Sequence, residues 1–175
     1  MKRIVVTGSE CTGKSTLARQ LAAWLKVPSL TEASRAVAEA MARPLTADDV
    51  GTIASRHMAQ EDALVHRARP ALVVLDTDLV STVVYARHYY GACAAWITEE
   101  ASARRADLYL LCAPDLPWEA DGVRDRPTAR TELHAAFGAQ LQAMGARVLP
   151  VDGRGPLRLQ RATAAIRGWR AAMPV

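Results

Sequence analysis

The chain has 175 residues, half of them hydrophobic, which is enough for about one domain with a sizeable core. Aromatic residues are scarce, so alanine and leucine must fill much of the interior, which favours helices packed on a sheet over a β-sandwich. The formal net charge of +4 comes almost wholly from scattered arginines, which favours an enzyme with phosphate-bearing substrates over a nucleic-acid-binding protein.

Apolar runs and helical stripes alternate along the whole chain, as in an open α/β sheet. In chain order they predict a strand at 3–7, a helix over 14–26, a short strand near 29–31, helices over about 33–42 and 47–68, a strand at 71–75, helices around 79–90 and 97–105, a strand at 108–112, a loop over 113–131, a helix over about 132–144, a strand at 147–151 and a helix over about 156–169. We therefore predict a single domain, 1–175, of three-layer α/β/α architecture with a five-stranded parallel sheet, in which the loop at about 113–131 acts as a lid.

The long helix over 47–68 has a recognisable start and one unusual face. Thr46 with Asp49 three residues later is typical of a helix N-terminus. His57 and Glu61 lie on one side of this helix but flank apolar positions, so we expect that side to be partly exposed.

Cysteine usage and hydropathy bear on the compartment. The three cysteines show no CxxC pairing and no zinc-site spacing, which fits a reduced environment. No apolar run approaches the roughly 20 residues that cross a bilayer. We expect a cytoplasmic protein with no membrane and no nucleic-acid partner, and the sequence leaves its oligomeric state open.

The stretch GSECTGKS at residues 8–15 matches the phosphate-binding loop pattern G-x-x-x-x-G-K-[ST]. A buried strand precedes it and an amphipathic helix follows it, so backbone N–H groups and the helix N-terminus can surround a triphosphate. Lys14 is expected to reach the β- and γ-phosphates, and the Ser15 hydroxyl to bind Mg²⁺. Cys11 is interpreted as a small space-filling residue; a thiol of lowered pKa is the alternative.

Two acids follow the apolar strand ALVVL. Asp76 at the carboxyl end of this strand matches the acid that holds Mg²⁺ in phosphate-loop enzymes. Asp78 would share its face if the strand continued, and would then orient a hydroxyl group or act as a base; the alternative is that it caps the next helix. Asp115, after the fourth strand, is a weaker candidate for the metal.

The lid carries arginines and one indole in a polar setting. Arg124 and Arg126, with Arg130 beyond them, would bring guanidinium groups to the transferring phosphoryl group on closure. A solvated loop with mixed ion pairs is the alternative. Trp118 either packs on the body of the protein or stacks on a ligand ring.

Two further segments are candidates for ligand contact. Glu32 and Arg35 follow the short second strand, where nucleoside and nucleotide kinases hold their acceptor, although an exposed ion pair also explains their spacing. Gly153, in the glycine turn after the last strand, is a candidate for contact with adenine, although a plain turn also explains it.

These motifs occur in a familiar order. GSECTGKST, TEASRAVAE, DDVGTIASRHMAQED, LDTDLVSTVVYARHYYG, ADLYLLCAPDLPWEADGVRD and VLPVDG together resemble the ribosylnicotinamide kinase domain of NadR-type proteins over nearly the whole chain. LDTD and PWEADGVRD are the most specific parts, and Cys11 with Thr12 is a mild departure. NadR proteins also carry an adenylyltransferase domain, and some a DNA-binding domain; 175 residues leave no room for either, so neither role is expected here.

The resemblance implies a phosphate-loop kinase fold and ATP-dependent phosphorylation of the 5′-hydroxyl of nicotinamide riboside, giving nicotinamide mononucleotide. It implies that Asp78, Trp118 and Asp121 face the nucleoside. The predicted catalytic residues are Lys14, Asp76, Arg124 and Arg126; the metal ligands are Ser15 and Asp76; the other substrate-binding residues are Glu32 and Arg35; and the ATP-binding residues are Gly8, Glu10, Cys11, Thr12, Gly13, Lys14, Ser15, Thr16 and Gly153.

The predicted cofactors are ATP and Mg²⁺, with a small nucleoside as the second ligand. A cationic pyridinium suits an aromatic face beside carboxylates, as Trp118 and Asp121 would provide. A thymidine or thymidylate kinase remains an alternative, because Arg35 and Arg87 could serve an acceptor phosphate. A regulatory ATPase switch is the alternative outside small-molecule kinases.

Overall fold

The computed structural model describes residues 1–30, 43–118 and 129–172. Their elements, in chain order, are β1 (Lys2–Thr7), α1 (Lys14–Leu25), β2 (Ser29–Leu30), α2 (Asp49–Ala68), β3 (Leu72–Asp76), α3 (Leu79–Tyr90), α4 (Ala95–Ala103), β4 (Leu108–Cys112), α5 (Arg130–Ala143), β5 (Val148–Val151) and α6 (Pro156–Ala171). The helix predicted over about 33–42 and residues 119–128 of the predicted lid lie outside the described residues.

The strands form one parallel sheet in the order β2-β3-β1-β4-β5. Val5 of β1 pairs with Leu75 of β3 on one side and with Tyr109 of β4 on the other. The strands β3 and β4 are buried along their whole length, which is why they appear in the sequence as unbroken apolar runs. The predicted fold class, a three-layer phosphate-loop kinase fold with five parallel strands, is confirmed.

The two faces of the sheet support two separate apolar clusters. Val5, Leu75 and Tyr109 face one side, where residues of α3, α4 and α5 cover them. Ile4 and Val74 face the other side, against α1 and α6. Successive strand residues point to opposite faces, so the same short strands serve both clusters. In the parts of the chain that the structure describes, no helix is both long enough and apolar enough to span a membrane.

The helix α2 starts near the predicted position but buries the face that we expected to be partly exposed. Asp49 accepts hydrogen bonds from the backbone N–H and the hydroxyl of Thr46, at 2.8 and 3.0 Å. His57 and Glu61 are only 3% and 2% exposed. The prediction for that face is wrong, because Arg3 of β1 donates to Glu61 at 2.6 Å and so supplies the charge that makes its burial tolerable.

Candidate active site

The loop between β1 and α1 is shaped by two glycines with positive φ. Gly8 has φ +136°, and a Cβ atom there would lie 2.9 Å from the carbonyl oxygen of Cys112, so only glycine lets β1 pass β4 at this distance. Gly13 has φ +73° and is the N-cap of α1. These positions turn the chain sharply from the strand into the helix, as the motif predicts.

The lysine of the loop is held by the loop itself. Lys14 is nearly buried, and its Nζ donates to the Ser9 carbonyl at 2.8 Å, as does the hydroxyl of Thr12 at 2.8 Å. Ser15 and Thr16 are exposed in the first turn of α1, which contains no acid. A helix N-terminus with an ammonium group and two hydroxyl groups is suited to bind a polyphosphate.

Asp76 lies on the same edge of the sheet as the loop. It is the last residue of β3, it is buried, and it pairs in register with Val6 of β1 just before the loop begins. Thr77 then adopts φ +67°, and its N–H donates to the Val6 carbonyl at 2.9 Å. This turn ends the strand, so Asp78 does not lie on the same strand face as Asp76. The two acids could have acted side by side only if the strand had continued.

Asp78 forms the helix cap that was the alternative prediction. Its Oδ1 accepts from the N–H of Val80 at 3.0 Å, and its Oδ2 accepts from the hydroxyl of Tyr109 at 2.7 Å. Burial raises the pKa of Asp78 to about 6, although both donors favour the charged form. Its contact with a nucleoside therefore stays a prediction.

The residues predicted for Mg²⁺ fit that ion by their chemistry. Ser15 offers a hydroxyl oxygen and Asp76 a carboxylate, which are hard ligands of the kind that Mg²⁺ takes beside phosphate oxygens. The same charged groups affect the buried thiol of Cys112. Burial raises its pKa, the positive charges of Arg158 and Lys14 oppose that rise, and the negative charge of Asp76 adds to it.

The structure describes two more of the predicted ligand-binding residues, Glu10 and Trp118. Glu10 accepts a hydrogen bond from the hydroxyl of Tyr89 at 3.1 Å, which connects the phosphate loop to the end of α3. Trp118 is partly buried, and the described residues offer no hydrogen-bond partner to its indole N–H. The predicted residues Glu32, Arg35, Asp121, Arg124 and Arg126 lie outside the described residues.

Two arginines donate hydrogen bonds to backbone carbonyls of the phosphate loop. Arg130, expected in the lid, is the first residue of α5 and donates to the carbonyls of Leu116 at 2.9 Å and Cys11 at 3.3 Å. Arg158 of α6 donates to the carbonyl of Thr12 at 2.7 Å and pairs with Asp115. Arg158 could not be identified from the sequence, because its acceptor in the phosphate loop is a backbone carbonyl, which any residue type provides.

Two NadR proteins are similar in sequence to most of this chain. It is 30% identical over 130 residues to the trifunctional NAD biosynthesis/regulator protein NadR of Salmonella typhimurium, and 29% identical over 131 residues to the NadR protein of Escherichia coli. Each alignment covers 71% of this chain and 31% of the relative, so the chain spans about a third of the length of these relatives.

Solved structures extend the likeness to the whole chain. A NadR protein in complex with NR and a NadR protein in complex with NAD and AMP-PNP each match 99% of this chain, with a TM-score of 0.78 and 26% identity, over 53% and 51% of their own chains. The thymidylate kinase of Ehrlichia chaffeensis shares the fold, with a TM-score of 0.71 and 12% identity, over 95% of this chain and 97% of its own.

These matches confirm the resemblance to NadR-type proteins that the sequence motifs indicated. A family model described as an AAA domain matches residues 3–158, which is most of the chain. The loop, the lysine and the strand-end acid described above all fall within that match. The chain therefore belongs to the AAA domain family.

Proposed function

We propose that this protein is an ATP-dependent kinase that phosphorylates the 5′-hydroxyl of nicotinamide riboside and so forms nicotinamide mononucleotide. The observation that carries the proposal is the match of 99% of the chain to a NadR protein in complex with NR. The phosphate loop with Lys14, and Asp76 on the same edge of the sheet, supply the groups that transfer from ATP requires.

The donor side begins with the triphosphate on the loop. Lys14 exchanges its contact with the Ser9 carbonyl for the phosphate oxygens, whose charge it stabilises as the phosphoryl group is transferred. Ser15 and Asp76 would hold Mg²⁺, which supplies further neutralisation of that charge. The chain's own residues thus mainly position the reacting groups and stabilise the charge of the transferring phosphoryl group, and phosphoryl transfer requires little else from a protein.

The acceptor side has to hold a cationic pyridinium and present a hydroxyl group. The partly buried ring of Trp118 offers a face for the cation, an interaction worth about 0.5–2 kcal/mol. Both carboxylate oxygens of Asp78 already accept hydrogen bonds, from Val80 and Tyr109, so a contact with the nucleoside would be added to these or would exchange for one of them. A loose transition state requires little help from a base, so catalysis does not depend on that exchange.

One observation weakens the thymidylate-kinase alternative. Such an enzyme requires arginines around the acceptor phosphate, and Arg87 was one of the two candidates. Arg87 instead donates to the side chain of Gln140 in α5 at 2.6 Å. The fold likeness to a thymidylate kinase does not restore the alternative, because it is a likeness of fold alone.

The test is a panel of acceptors incubated with the protein, ATP and Mg²⁺. Nicotinamide riboside, thymidine and thymidine monophosphate are supplied singly, and products are identified by mass spectrometry. We expect nicotinamide mononucleotide to form fastest. No phosphorylated product above background would refute the kinase proposal, while slow ATP hydrolysis indifferent to every acceptor would favour the regulatory switch.

A further inference from the structure

Arg158 joins three loops at the edge of the sheet that bears the phosphate loop. Its side chain, in the first turn of α6, is only 4% exposed. It donates to the carbonyls of Thr12 at 2.7 Å, Gly153 at 2.7 Å and Ala113 at 3.4 Å. These three carbonyls follow β1, β5 and β4 respectively, so one guanidinium group fixes the ends of three adjacent strands relative to one another.

Asp115 completes this arrangement as the counter-charge. Its Oδ1 pairs with Nη2 of Arg158, and its Oδ2 accepts from the backbone N–H of Gly153 at 2.7 Å. Its backbone carbonyl accepts from Arg154 at 3.0 and 3.2 Å. A buried guanidinium is tolerated only when its charge is matched and its donors are used, and both conditions are met here. Both carboxylate oxygens of Asp115, which the sequence made a weaker candidate for the metal, are thus engaged by Arg158 and Gly153.

The contact with Thr12 has a consequence for the phosphate loop. The Thr12 carbonyl and the Gly13 N–H belong to one trans peptide, in which the two groups point in opposite directions. Because Arg158 holds the carbonyl, it aims the Gly13 N–H away from α6. Amides of such a loop bind phosphate oxygens only in a fixed orientation, so this contact prepares one of them before the ligand arrives.

The other end of the arrangement is suited to a nucleotide base. The sheet order places β4 and β5 on the opposite side of β1 from β3, so the Asp76 side is left for the acceptor. Gly153 has φ +91°, and a Cβ atom there would lie 3.2 Å from the Leu157 side chain, which is 43% exposed. An exposed apolar side chain beside a glycine turn offers a surface on which a planar base can pack.

We propose that Arg158, with Asp115, is a positioning residue for ATP: it holds the phosphate loop and the turn at 152–155 at the spacing that one ATP molecule requires. The inference rests on the proposed function only in taking ATP as the donor. Without Arg158 the triphosphate site and the base site each persist, but no longer at a fixed separation.

The decisive variant is Arg158→Lys. Lysine keeps the positive charge opposite Asp115, but it lacks the planar fork that donates to three carbonyls. Arg161→Ala is the matched control, because Arg161 lies on the same helix and pairs at 2.5 Å with Asp152 of the same turn through side chains that are largely exposed. Asp115→Asn is the second variant, since it keeps the guanidinium and its carbonyl contacts and removes only the counter-charge.

Calorimetry with Mg-ATP and, separately, with nicotinamide riboside measures the effect without relying on turnover. We expect Arg158→Lys to weaken ATP binding by at least about tenfold, from the loss of charged hydrogen bonds, and Asp115→Asn to weaken it by severalfold. Nicotinamide riboside should bind each variant within about twofold of its wild-type affinity, and Arg161→Ala should change neither ligand.

Two outcomes would overturn the inference. Unchanged ATP affinity in both Arg158→Lys and Asp115→Asn would show that the arrangement does not position ATP. Equal weakening of ATP and the riboside, with a matching fall in melting temperature, would show a purely structural role. If the wild type binds ATP but phosphorylates no nucleoside, the proposed function fails. The role of Arg158 is still tested in that case, by comparing the loss of ATP affinity in each variant with the change in its melting temperature.

Discussion

Asp78→Asn should change how the stability of the protein depends on pH. Burial raises the pKa of Asp78 from 3.8 to about 6, against the opposing effect of the donors Tyr109 and Val80. Between these values the native state keeps a proton that the unfolded chain has released. The stability contributed by Asp78 is therefore fully present below about pH 4 and is lost as the pH rises through about 6.

The size of this effect follows from the shift. A rise of about 2 in the pKa of Asp78 corresponds to a loss of about 3 kcal/mol in the free energy of unfolding between pH 4 and pH 7. Asparagine stays neutral throughout, and its amide can accept from Val80 and face the hydroxyl of Tyr109. We therefore expect the stability of Asp78→Asn relative to wild type to rise by about 3 kcal/mol across this range.

Urea denaturation of both proteins at several pH values between about 4 and 7 measures this difference. Other acids, such as Asp62 and Asp107 with their lowered pKa values, add slopes of opposite sign, but they are common to both proteins and cancel. Tyr109→Phe provides a second test, because removing the donor should raise the pKa of Asp78 further and extend the loss of stability above pH 6.

A stability difference between Asp78→Asn and wild type that stays constant with pH would refute this reasoning, since it would mean that Asp78 titrates alike in the native and unfolded states. The same variant also addresses the role predicted from the resemblance. If its KM for nicotinamide riboside equals that of the wild type, capping α3 and contacting Tyr109 are sufficient to account for Asp78.

Three further substitutions test the site. Lys14→Ala should lower kcat/KM by at least about 100-fold with little change in melting temperature, since it removes a charge from the transition state, and a near-normal rate in steady-state assays would contradict this. Trp118→Ala should raise the KM for nicotinamide riboside by about 2- to 30-fold and the KM for ATP by less, and the reverse order would show that the ring does not serve the acceptor. Gly8→Ala should destabilise the protein by more than about 1 kcal/mol in urea denaturation, because its Cβ would lie 2.9 Å from the Cys112 carbonyl; an unchanged midpoint would disprove that close approach.

The fold could be predicted from local patterns because each pattern has one dominant cause. Strands β3 and β4 are buried on both faces and are therefore apolar along almost their whole length, with Asp76 at the carboxyl end of β3 as the charged exception. Helix boundaries were less predictable: the helix expected over 97–105 spans Ala95–Ala103, and that expected over 132–144 spans Arg130–Ala143. Apolar periodicity defines the middle of a helix, whereas its first turn is set by contacts such as those of Arg130 with the phosphate loop.

The candidate site also has one part that the sequence predicts and one part that it does not. The phosphate loop was predictable because its glycines and Lys14 act within eight consecutive residues. Whether Asp78 continues the face of Asp76 was not predictable, because this depends on the positive φ of Thr77, which a β-branched residue rarely adopts. Glu61 was misjudged for a related reason, since its partner Arg3 is 58 residues away along the chain.

The backbone of the phosphate loop is also held by residues that are distant along the chain. Arg130 and Arg158 hold the carbonyls of Cys11 and Thr12 from 119 and 146 residues away. Consecutive carbonyls held from outside leave the N–H groups of the same peptides aimed elsewhere, which is the property that lets a loop receive an anion. The motif thus encodes a loop able to adopt the binding shape, while the first turns of α5 and α6 select that shape. A short peptide with this motif, lacking both arginines, should therefore bind triphosphate far more weakly than the intact chain.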